Sequence, residues 1–182
     1  MPWRNIPAFM ALLRANAAIS ARALEFTILT AARTSESILA AHDELNLDEN
    51  IWHVPAARMK ASVEHRVPLS DRARSIVAAL PRIEGTHYVF PGARQGRPLS
   101  RMAMLELLRG LRPGLTVHGF RSAFRDWAAE DTEFASEVVE MALAHTIESE
   151  VERAYRRGDL FQKRRALMDA WAAYCNSGDE AS

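Results

Sequence analysis

The sequence predicts a mostly α fold with a small antiparallel β-sheet, an α+β domain, and three observations predict it. Apolar residues recur at helical spacing through both ends of the chain. Two short runs rich in β-formers, "IWHVP" and "HRVPL", flank a turn near the middle. The strand-like runs do not alternate with helices, which argues against a doubly wound parallel sheet.

The elements follow in order. Ile6 and Pro7 open a helix through about Asn16, with proline at a tolerated first-turn position and Phe9, Leu12 and Leu13 on one face. Ser20 is placed to cap the next helix, "ARALEFTILTAA", and a short helix, "SESILAAH", leads into an acidic turn. "AARMKASVE" then reads as the far end of a hairpin, with Lys60 near its turn. Ser70 caps a helix to about Leu80, "HYVFP" reads as a short strand, and Ser100 caps "RMAMLELLR", which Gly110 is expected to end. From His118 onward helices are expected at about 118–129, 133–143, 148–157 and 159–175. One domain spanning 1–182 is expected, with an ordered core over about 6–175 and a frayed tail at 176–182.

Composition narrows the function. Apolar residues make up 48% and charged residues 25%, which is globular composition. Arg4 and Arg14 spoil the N-terminus as a secretory signal, and no run approaches membrane-spanning length, so a cytoplasmic protein without membrane contacts is expected. Cys175 is the only cysteine, which excludes an intrachain disulfide and a cysteine-based zinc site. The net charge of zero counts against indiscriminate coating of nucleic acid. Of 23 basic residues only Lys60 and Lys163 are lysines, so an isolated Lys60 asks for an explanation. Neither GxGxxG nor GxxxxGK[ST] occurs, and no nucleotide cofactor is implied.

The stretch "TVHGFRSAFRDWAAE" carries His118 and Arg121 one helical turn apart, near a helix N-terminus that favours anions. Donors so placed suit a phosphate, although they also suit local capping and pairing. Other candidates have ordinary readings when taken singly. Arg33 is a helix-end cation within reach of Glu36, and Lys60 is a solvated turn residue. His145 caps a helix, and Tyr155 is one more amphipathic aromatic.

Taken in order, Arg33, Lys60, His118 with Arg121, His145 and Tyr155 resemble the signature of the catalytic domain of tyrosine recombinases, the phage-integrase family. The words "LTAARTSE", "RMKASVEHRVPLS", "YVFPGARQGRPLS" and "LAHTIESEVERAYRR" are similar to those of integrases from genomic islands and satellite prophages. The resemblance runs from about Ile6 to Tyr174. Two positions around Arg33 depart from it: Ser35 stands where the family commonly has glycine, and His42 where it often has tryptophan. The family's arm-binding and N-terminal core-binding domains have no counterpart here, so an isolated catalytic domain is expected.

The resemblance implies that Tyr155 attacks a DNA phosphodiester to form a 3′-phosphotyrosyl link. Arg33 and Arg121 would neutralise the transition state, and His118 and His145 would add hydrogen bonds. Glu36 would support Arg33, and Lys60 would protonate the leaving 5′-oxygen. No cofactor and no metal is implied, and carboxylates do not cluster around the motif. The implied partner is double-stranded DNA at attachment sites, with a tetramer on DNA and a monomer as the alternative for the isolated domain. The last helix docks either on its own core or on a neighbouring protomer. Two other readings stay open: a noncatalytic DNA-binding remnant, and a DNA relaxing enzyme of the type IB topoisomerase kind.

Overall fold

A computed structural model of the chain describes residues 1–145 and 158–179. Its centre is a helix that the sequence marks by being apolar nearly all round. This is α2 (Ile19–Thr30), in which every residue from Ala23 to Thr30 is buried. The hydroxyls of Thr27 and Thr30 donate back to the carbonyls of Ala23 and Phe26, so neither is left unsatisfied. Packed around α2 are α1 (Ile6–Arg14), α4 (Asp71–Ala79), α5 (Ala103–Leu111) and the last helix, α8 (Phe161–Asn176). Between them lie α3 (Thr34–Ile38), α6 (Gly119–Asp131) and α7 (Ser136–Ala142).

The last helix belongs to this core. Leu167, Met168 and Trp171 are buried, and the Trp171 indole donates to the carbonyl of Ile28 at 2.9 Å. Trp171 also meets Trp127 and Phe124, with ring centroids at 4.9 and 5.3 Å.

A three-stranded antiparallel sheet covers one side of α2, in the order β1 (Leu45–Asn46), β2 (Ile51–Val54), β3 (His65–Pro68). Its inner face sets Trp52 opposite Val67, both buried, with Phe26 of α2 5.3 Å from the Trp52 ring. The β2–β3 hairpin carries Lys60 at its exposed far end. Arg58 anchors that hairpin: it donates to the Glu36 carbonyl at 3.1 Å and pairs with Glu44.

Several expectations hold, among them the Pro7 helix start, the hairpin, and the Ser70 cap, whose hydroxyl accepts from the Ala73 N–H at 3.4 Å. Others are corrected. Ser20 lies inside α2, which begins after Ala18, because the Asn16 side chain already accepts the Ala18 N–H at 2.9 Å. Gly110 lies within α5, and the chain turns only at Pro113 and Gly114, whose φ is +83°. "HYVFP" makes two isolated bridges, Ala41 to Tyr88 and Pro91 to Pro98, instead of a strand. Prolines at 91 and 98 lack the N–H donors that would extend the ladder. Within the expected tail, Ser177–Asp179 forms a 3₁₀ turn against α1, so close that a Cβ on Gly178 would lie 2.7 Å from the Pro7 carbonyl oxygen.

Candidate active site

Arg33 owes its place to the end of α2. Ala31 takes a left-handed φ of +49°, which reverses the chain and makes Arg33 the N-cap of α3. Glu36, in the first turn of α3, then holds Arg33 twice. One carboxylate oxygen accepts the Arg33 backbone N–H and the other its guanidinium, both at 2.7 Å. Glu36 is buried, so this pair is shielded from solvent far more than a surface pair. The guanidinium reaches onward and donates to the carbonyl of Ala144 at 3.2 Å.

Arg121 arrives from a different element. It lies in the first turn of α6 and is 6% exposed, with its fork donating to the carbonyls of Ala31 and, at 2.6 Å, Leu143. Burial pushes its pKa down to about 10, and the nearby charge of Arg33 adds to the effect. At neutral pH it remains a cation. Two guanidinium groups from distant segments are thus gathered on adjacent carbonyls of one helix end, where the helix dipole favours positive charge.

That helix end is built by α7. The N–H of His145 returns to the carbonyl of Glu140 at 3.0 Å, and that of Ala144 to Met141 at 3.1 Å, a Schellman closure. Ala144 sits at the left-handed position with φ +49°, where glycine is usual. Replacing Ala144 with glycine is therefore expected to stabilise the fold by about 0.5–1 kcal/mol, since relief of a left-handed residue outweighs glycine's backbone entropy. A thermal melt should show the midpoint raised by about 2 °C; a lowered midpoint would contradict the strain.

The closure sets His145 beside the arginines. Its Nε2 lies 3.3 Å from Nη2 of Arg121, and its Nδ1 2.5 Å from Glu140 Oε2. The other Glu140 oxygen takes Arg125 at 2.8 Å. His118 is the exposed N-cap residue of α6, one turn from Arg121. Lys60 is exposed on the hairpin. A cleft of about 280 Å³ separates the base of that hairpin from the end of α7, lined by Met59, Val63, His65, Met141 and His145. Tyr155, with Arg153, Arg156 and Arg157, lies outside the described residues, as does the helix expected at 148–157. Among the described residues no group of three or more His, Cys, Asp or Glu side chains could hold a metal ion.

Sequence reasoning passed over His65. It starts β3, opposite Val54, and lines the cleft at the end of α7, where the successive carbonyls of Leu143 and Ala144 receive Arg121 and Arg33. Burial lowers the His65 pKa to about 4, helped by the charges of Arg164 and Arg33. The ring is therefore neutral at pH 7. Between pH 6.5 and 4 the unfolded chain binds a proton that the folded one refuses, so stability falls as pH falls through that window. The loss at pH 5 is expected to be about 2 kcal/mol by urea unfolding. His65→Gln should flatten that slope; an unchanged slope would assign it to other groups.

A helical domain that brings two arginines from separate segments to one helix end, beside a histidine, has the makeup of an anion-gripping domain. The chain belongs to the phage integrase family, whose model matches residues 2–160. It is 35% identical over 184 residues to prophage integrase IntA of Escherichia coli (strain K12), covering 98% of this chain and 44% of that protein. With the integrase of Enterobacteria phage P4 it shares 29% identity over 195 residues, covering 96% of this chain and 44% of that one. The chain thus spans less than half the length of these relatives. The fold is similar to that of the integrase from mycobacterium phage Brujita, with a TM-score of 0.70 at 21% identity, covering 93% of this chain and 57% of that one.

Proposed function

We propose that this chain is the catalytic domain of a site-specific DNA recombinase, cutting and rejoining strands through a 3′-phosphotyrosyl intermediate to integrate or excise a mobile element. The observation that carries this reading is the convergence of Arg33 and Arg121 on the carbonyls of Ala144 and Leu143, next to His145. A phosphodiester is an anion whose pentacoordinate transition state gathers more charge on its oxygens, and planar, permanently charged guanidinium groups suit it. Two of them answer that demand without a metal.

In this reading Arg33 and Arg121 grip the nonbridging oxygens, Glu36 holds Arg33 in place, and His118 and His145 add hydrogen bonds. His118, exposed at the start of α6, is also placed to move a proton in the reaction. Tyr155 attacks phosphorus, and the 5′-oxygen leaves with a proton from Lys60 on the hairpin that Arg58 anchors. The covalent ester conserves the bond energy, so a second 5′-hydroxyl can reverse the step and exchange strands. The partner is double-stranded DNA at attachment sites, where four protomers assemble on two duplexes in the cytoplasm. Among the described residues no helix is long and apolar enough to cross a membrane. The zero net charge favours dependence on a specific site over the general DNA affinity of a relaxing enzyme.

The test uses end-labelled nicked duplexes covering the sequences that flank the gene, mixed with this chain and with a longer parent. A labelled species of protein mass should survive denaturation. Tyr155→Phe should abolish it while leaving DNA binding within about twofold, since the loss of one phenolic hydroxyl removes the nucleophile and little contact area. An adduct of undiminished yield would remove Tyr155 as nucleophile, and no adduct from either protein on any sequence would leave the DNA-binding remnant.

A further inference from the structure

The ring of His145 has a partner at each nitrogen, and the two partners demand the same proton placement. Glu140 Oε2 lies 2.5 Å from Nδ1, and an ionised carboxylate only accepts, so Nδ1 carries the proton. Arg121 Nη2 lies 3.3 Å from Nε2, and a guanidinium only donates, so Nε2 is bare. Glu140 is itself held, because Arg125 occupies its other oxygen at 2.8 Å. The carboxylate is therefore fixed on one side by an arginine and fixes the ring on the other.

We propose that Glu140 is a positioning residue for the reaction described above, setting the tautomer and plane of His145 so that Nε2 is aimed at the incoming phosphodiester. In the free protein Nε2 accepts from Arg121. When a phosphodiester oxygen comes between them, Nε2 must donate, and the ring takes up one proton from solvent at its 40% exposed edge. One N–H bond forms and none breaks in the ring, and the resulting imidazolium lies between the Glu140 carboxylate and the phosphate, both anionic. The other charges facing it, Arg121 and Arg33, turn toward the same phosphate. This arrangement parallels outer-shell carboxylates that orient histidine ligands, whose removal lowers activity about 10–100-fold.

The proton placement needs no DNA to test, which separates this inference from the recombinase reading on which its chemical role rests. Long-range ¹H–¹⁵N correlation spectra of the full chain at neutral pH should show the His145 proton on Nδ1 in the wild type. Glu140→Gln, whose amide oxygen still accepts, should keep that tautomer, whereas Glu140→Ala should move the ring toward Nε2–H. On nicked duplex, Glu140→Ala should cut adduct formation about 10–100-fold. Glu140→Gln should restore much of that rate, because its amide oxygen still holds the ring at Nδ1. A wild-type ring protonated on Nε2, or a Glu140→Ala protein with wild-type tautomer and rate, overturns the proposal. If neither this chain nor the longer parent forms an adduct, the recombinase reading falls, and the tautomer comparison still decides for or against Glu140.

Discussion

Replacing Arg121 with lysine is expected to lower the rate of covalent adduct formation on nicked duplex by about 10³-fold or more, within the range seen when a transition-state guanidinium is lost. The reason lies in the fork. Arg121 donates to two carbonyls from segments far apart in sequence, Ala31 and Leu143, while facing His145. A lysine ammonium is a compact point charge and cannot span both carbonyls while keeping further in-plane N–H donors for a phosphate. Arg121→Ala adds a stability loss of about 2–4 kcal/mol, because two buried carbonyls lose their donor. The two variants separate fold from chemistry: urea unfolding should place the lysine protein nearer the wild type, while its adduct rate falls as steeply. A lysine variant with near wild-type adduct rate would remove Arg121 from the transition state.

The largest expected stability effect lies away from the site. Glu25 is fully buried on α2, where it pairs with Arg22 at 2.8 Å and is gripped by Arg72 of α4 at 2.7 and 3.1 Å. Glu25→Ala leaves two arginines facing each other across a buried gap, and breaking such a pair by removing one partner costs about 3–5 kcal/mol. Thermal unfolding should begin on the order of 10 °C lower, and whatever protein remains folded should form adduct at the wild-type rate. A shift of less than about 2 °C would mean that Arg22, which also donates to the carbonyls of Leu13, Arg14 and Asn16, carries no stabilising charge pair there.

Where local chemistry decides, the sequence was readable. Pro7, the Ser70 cap, the alternating hairpin and the spacing of Arg33 and Glu36 each rest on interactions within a few residues, and each appears as expected. Distant partners decide the misreadings. Gly110 stays helical because α5 packs its apolar face on α2 past that point, and Ser177–Asp179 folds onto α1 because Gly178 fits against Pro7. The site divides the same way. The matching residue order identified Arg33, Arg121 and His145, and the fold brings these three together. His65 and Glu140 were passed over, since a histidine buried by its tertiary neighbours, or a helix-surface glutamate, has no distinctive spacing.

Because the carbonyls of Leu143 and Ala144 do the holding, the grip itself uses no side-chain atom at those positions. Point substitution there acts on the grip only indirectly, through the packing of Leu143 and the left-handed backbone of Ala144. A change of length acts on it directly. One inserted residue in α7 turns its end by about 100°, swinging both oxygens away from their guanidinium groups at once. The grip thus depends on the residue count of this segment more directly than on its side chains, which makes it brittle to indels.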